Sequence, residues 1–231
     1  MTRDADPRAP FAIPQVPAEA RISGFVAIVV QPDAATIRAS YELAAALMPE
    51  SAEQALASGS LPHVTLTQCP VRDAPRERLA GYVTRLDEAL RGVTIPLRTV
   101  IAFGGGFLFW CVEDASPPRV LLQQAHEDAL GVADGLLDPA VNARVVEQTR
   151  KGTNDDPVLV AHARRYGYAF VRDRYLPHIT LGFDPRLVVD PRAGSSFEAR
   201  PRPHVMTAER VVLAKMGALG RVEHVLSLAA R

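Results

Sequence analysis

Leu61-Pro62-His63-Val64-Thr65-Leu66 and Leu176-Pro177-His178-Ile179-Thr180-Leu181 are the same phrase written twice, 115 residues apart. With 6 histidines and 11 threonines in 231 residues, random placement gives about 0.3 His-x-Thr triplets. Two occur, with matching flanks, so two similar halves of a pseudo-symmetric fold explain them better than chance. Side chains alternate faces along a strand, so His63 and Thr65 share one face, as do His178 and Thr180. Val64, Leu66, Ile179 and Leu181 then point the other way, into a core.

The surrounding chain alternates strand and helix signals. Phe25–Val30 is an unbroken apolar, β-branched run that reads as a buried strand, stopped by Gln31-Pro32-Asp33. Asp33 sits where a helix N-cap belongs, and Ile37, Tyr41, Ala44 and Met48 follow at helical spacing. Pro75 opens a second helix carrying Leu79, Val83, Leu86 and Leu90. Two strand candidates, Val93–Phe103 and Phe107–Glu113, flank Gly104-Gly105-Gly106. No Gly-Lys-Ser/Thr or dinucleotide fingerprint follows, so the triplet reads as a hairpin turn. Pro117-Pro118 starts a third helix reaching about Ala133. Residues 134–165 read as a partly helical excursion with a mobile Arg150-Lys151-Gly152, and residues 190–203 as a loop. Strand candidates Glu209–Lys215 and Val222–Leu228 close the chain around a Gly217–Gly220 turn. This is an α+β or α/β signature.

Composition narrows the function classes. The chain has 26 basic and 26 acidic side chains and 48% hydrophobic residues, which excludes wholesale disorder and a broadly cationic nucleic-acid coat. Two cysteines, Cys69 and Cys111, exclude a disulfide scaffold and a multi-cysteine zinc domain, and read as small core residues. No run of eighteen apolar residues predicts a membrane span. Residues 1–20 carry acids and four prolines where a signal peptide needs an apolar core, and read as a poorly ordered leader. A cytoplasmic protein is expected, with residues 21–231 as a single domain.

Paired imidazole and hydroxyl groups suit in-line substitution at phosphorus. One imidazole removes a proton from the nucleophile while the other protonates the leaving oxygen on the far side of the phosphorus. Histidine's ordinary pKa keeps both forms accessible near neutrality. Threonine hydroxyls donate to the non-bridging oxygens. A metal site needs three or more ligands, and neither motif has a Cys, Asp or Glu at chelating spacing.

At these residues the chain resembles the 2H phosphoesterases, a superfamily that includes the 2′-5′ RNA ligase-like proteins and the cyclic nucleotide phosphodiesterases. The resemblance spans roughly residues 22–229, with only the motifs specific. It implies an α+β domain of two pseudo-symmetric lobes, antiparallel-rich sheets lining a central cleft and helices outside. His63, Thr65, His178 and Thr180 would be the catalytic set, acting without cofactor or metal. The implied substrates are nucleotides or RNA carrying a 2′,3′-cyclic phosphate or a 2′-5′ linkage. RNA ligase-type joining and a non-catalytic nucleotide- or RNA-binding module are the alternatives.

The other histidines carry weaker signals. His126 in a helix and His162 in a polar stretch read as solvated or capping, His204 as a loop residue, and His224 as a terminal-strand residue beside Glu223. Arg172, Arg174, Lys215 and Arg221 could meet a phosphate, with a solvated face the simpler reading. Phe25, Tyr168, Tyr175 and Phe183 could stack on a base, although strand aromatics more often build core.

Overall fold

The unbroken apolar run near the N-terminus forms a strand covered on both faces. In the computed structural model, which describes residues 20–48, 60–104, 106–184, 189–190, 194–195 and 200–226, this strand is β1 (Arg21–Pro32). Val26, Ile28 and Val30 enter the main core, while Ala27 and Val29 face a second cluster with Ile37, Val212 and Ala214. Each of these buried valines and isoleucines stabilises the fold by about 1.5–3 kcal/mol relative to exposure. The leader expected over residues 1–20 lies, except for Ala20, outside the described residues.

Helix α1 (Ala34–Leu47) follows, then β2 (Val64–Pro75), α2 (Arg76–Leu90), β3 (Thr94–Phe103) and β4 (Phe107–Val112). The remaining elements are α3 (Pro117–Ala129), α4 (Pro139–Gly152), α5 (Pro157–Tyr166), β5 (His178–Phe183), the short β6 (Val189–Asp190) and β7 (Gly194–Ser195), β8 (Arg200–Met216) and β9 (Val222–Leu226). Phe103 pairs with Phe107, so β3 and β4 form the expected hairpin, and Gly106 takes a φ of +107° there; Gly105 lies outside the described residues. No helix among the described residues is long and apolar enough to cross a membrane.

The architecture is α+β, with a seven-stranded antiparallel sheet in the order β1-β2-β5-β4-β3-β8-β9 and five helices among the described residues. The first part of β8 pairs with β3 and its later part with β1. The ladder β1-β2-β5-β4-β3-β8 therefore returns to β1, which removes edges that would otherwise stand open. β2 follows α1 and β5 follows the three helices α3, α4 and α5, and each motif strand pairs antiparallel with the strand that precedes those helices: β2 with β1, and β5 with β4.

Three expectations change. The excursion at 134–165 is two full helices, each opened by an Asp-Pro pair: Asp138 and Asp156 cap the first turns with their carboxylates. Arg150, Lys151 and Gly152 form the last turn of α4 rather than a mobile loop. β8 begins at Arg200, inside the stretch expected to be loop, because pairing with β3 supplies the ladder partners that a Pro/Arg-rich sequence does not advertise.

Asp33 joins local and long-range order. Its carboxylate accepts from the Thr36 backbone N–H (2.9 Å), the Thr36 hydroxyl (2.9 Å) and the Thr207 N–H on β8 (2.7 Å). Burial alone would raise its pKa, but these hydrogen bonds outweigh burial and hold it below the ordinary 3.8. Asp33→Ala is expected to cost about 2 kcal/mol in urea unfolding, and Asp33→Asn clearly less, since it keeps an acceptor. Because the folded-state pKa is depressed, the wild-type advantage over Asp33→Asn is fully present above pH 3.8 and lost as pH falls from there through the lower folded-state value.

Candidate active site

The two motif strands meet at one backbone pair. Val64 of β2 lies opposite Ile179 of β5, and no other register pair joins these strands. Val64 and Ile179 are the middle residues of the two motifs. In the antiparallel direction His63 and Thr180 therefore flank that pair on one side, and Thr65 and His178 on the other. Val64, Leu66, Ile179 and Leu181 all belong to the main core, which turns the His and Thr side chains to the opposite face.

Each imidazole is held in the same way. His63 Nδ1 donates to the Leu61 carbonyl (2.7 Å), and His178 Nδ1 to the Leu176 carbonyl (2.6 Å). A carbonyl only accepts, so both rings carry their proton on Nδ1 and keep Nε2 available. His63 is 7% exposed, and His178 is half-buried with its ring stacked on Phe109 at 3.5 Å between centroids.

Burial pushes both histidines below their ordinary value, with the carbonyl hydrogen bonds opposing it in part. His178 falls to about 4, and the nearby His63 charge adds to its depression. Both rings are thus neutral in the resting site at pH 7, with burial the leading cause for each.

A cleft of about 130 Å³ opens beside the motifs, lined by His63 and Thr180 and walled by Phe107, Phe183, Leu219 and Arg221. Phe107 and Phe183 are neighbours at 4.9 Å, and the ring row continues inward through Phe109, Phe103 and Phe170. Arg221 brings a cation from the β8–β9 turn, where Leu219 and Gly220 both take left-handed φ values, +57° and +71°. Thr65 and His178 lie across the Val64–Ile179 pair from this lining.

Of the weaker candidates, Arg221 and Phe183 reach the cleft. Phe107 and Leu219 are wall residues that the sequence does not single out; for Phe107 the i, i+2 spacing to Phe109 beside a hairpin is the available signal. Arg172 and Arg174 sit in a 3₁₀ turn instead of a strand, against Glu127 and Asp173 respectively. Lys215 is exposed on β8. Phe25 packs into the second core cluster. His204 is in β8, within 3.0 Å of the Thr36 hydroxyl, and His162 donates to the Ala169 carbonyl. His126, expected to be solvated or capping, is 1% exposed and bonded at both ring nitrogens. Helical periodicity alone did not show what α3 packs against.

Burial raises the Cys69 thiol to about 12, and burial with the Asp114 charge does the same for Cys111, so neither is a thiolate at neutral pH. Among the described residues no three His, Cys, Asp or Glu side chains are grouped to hold a metal ion. No protein-family model matches the chain, and neither does any curated protein.

The depressed histidines set a pH dependence of stability. The unfolded chain binds protons near pH 6.5 that folded His63, His126 and His178 refuse. Their contribution is fully present above pH 6.5 and lost as pH falls toward the folded values, with His178 alone accounting for roughly 3 kcal/mol by pH 4. Urea midpoints measured from pH 7.5 down to 4.5 are expected to fall steadily below 6.5. The fall should be shallower in His178→Ala.

Proposed function

We propose that this protein is a metal-independent phosphodiesterase acting on 2′,3′-cyclic phosphates or 2′-5′ linkages of nucleotides or RNA, with the bilobal architecture of the 2H phosphoesterases. One observation carries the reading: two motif histidines, each pinned through Nδ1 by the carbonyl two residues upstream, present equivalent Nε2 atoms on either side of a single backbone pair. An in-line displacement needs a base and an acid facing each other across phosphorus, and a duplicated imidazole supplies both.

In the proposed reaction a water oxygen bonds to phosphorus as the bond to one ribose oxygen breaks. The neutral imidazole takes the water proton at Nε2, and the other imidazole, entering protonated, gives its Nε2 proton to the departing oxygen. Because the His63 charge presses on His178, His178 is the ring that stays neutral as pH falls, which suits it to the base. Thr65 and Thr180 donate to the non-bridging oxygens, and Arg221 at the cleft wall offsets the phosphate charge. The Phe107–Phe183 wall suits a planar base, and the zero formal charge of the chain favours a small nucleotide over a long RNA.

Purified protein is expected to open 2′,3′-cyclic nucleotides in EDTA. His63→Ala and His178→Ala should each lower kcat by about 10²–10⁴-fold while keeping wild-type circular dichroism. Since both rings are neutral in the free site, kcat/KM should follow a bell with its maximum below pH 6.5 and decline above it. A folded wild type without turnover on cyclic or 2′-5′ linked substrates, or turnover abolished by EDTA, would contradict the proposal.

A further inference from the structure

The two motif strands share one ladder pair, yet the chemistry proposed above requires their side chains to hold a fixed separation to within fractions of an ångström. The other ladders around the sheet are longer: β1 with β2, β4 with β5 and β3 with β4 each run for several residues. Something other than the ladder sets the distance between β2 and β5.

His126 of α3 stands where such a tie is needed. Its Nδ1 donates to the carbonyl of Leu66, the residue after Thr65 in the first motif. Its Nε2 accepts from the Arg172 N–H at 2.8 Å, and Arg172, at a left-handed φ of +57°, opens the turn that leads into β5. The ring lies flat on Tyr175 at 3.9 Å with 4° between planes. The Tyr175 hydroxyl donates to the Thr65 carbonyl at 2.9 Å, and its own carbonyl accepts from Arg119 of α3. Two consecutive carbonyls of the first motif are thus held by α3 and by the approach to the second. Neither His126 nor Tyr175 lines the cleft.

We propose that His126 is a positioning residue, which sets the separation of the two His-x-Thr motifs by bridging Leu66 and Arg172 and by stacking on Tyr175. The role rests on the phosphodiesterase reading only for its kinetic consequence. The bridge requires the neutral ring, because a protonated Nε2 would point a donor at the Arg172 donor. The groups around it are Glu127 and Arg119 on its own helix and Arg172 and Tyr175 on the facing turn. Burial leads in keeping the ring neutral, assisted by Arg119 and Arg172 and opposed by the Leu66 hydrogen bond and Glu127.

The test compares His126→Gln, which keeps one donor and one acceptor, with His126→Leu, which fills the space with neither. Tyr175→Phe keeps the stack and loses the Thr65 bond, and serves if the leucine variant fails to fold. On a 2′,3′-cyclic nucleotide, His126→Leu should lower kcat roughly 10–100-fold with KM changed under about 3-fold. His126→Gln should recover most of the loss, and Tyr175→Phe should lose several-fold in kcat.

A second readout does not need turnover. Spreading the motifs relieves the charge of His63 on His178, so the His178 titration followed by NMR should move up in His126→Leu and Tyr175→Phe and stay in place in His126→Gln. Folded variants with wild-type kcat, or with unmoved His178 titration where the wild type proves inactive, would overturn the proposal. An equal loss in Gln and Leu variants would also overturn it.

Discussion

A hydrogen bond from each motif imidazole to the carbonyl two residues upstream orders everything else at this site. It fixes the Nδ1–H tautomer, aims the ring and leaves Nε2 for a ligand. The proline at Pro62 and Pro177 supports it, because an extended approach to the strand brings the Leu61 and Leu176 carbonyls under the rings. Repetition of this device on β2 and β5, centred on Val64 and Ile179, brings two distant stretches of chain side by side.

The fold pays for that arrangement with a weak junction. A full ladder between β2 and β5 would hold the motif strands at sheet spacing and close the space between their side chains. One pair leaves room, and side chains from α3 and the turn before β5 take over the tethering. Closure of the sheet through β8, which pairs with β1 and β3, holds the two halves together from the far side.

Much of this was legible in the residues. The duplicated hexapeptide disclosed the motif strands and the face each side chain takes, since period-two geometry needs no tertiary information. Asp33 announced a helix start, although its bond to Thr207 could not be read from a local pattern. The helices α4 and α5 show only as a partly helical stretch because they pack little of their surface into core, although their Asp-Pro caps are visible in the residues. The start of β8 escaped because β3 supplies its ladder. His126 acquires its place only when distant elements meet, which no spacing along the chain encodes.

The most direct check of the central claim is an NMR titration of the histidine ring nitrogens with inorganic phosphate at pH 6. Shared occupation of one site predicts Nδ1–H tautomers for both His63 and His178 in the free protein, and Nε2 signals that shift together along one binding curve. Signals that respond with different affinities, or in only one of the two rings, would mean that the motifs do not form a single site.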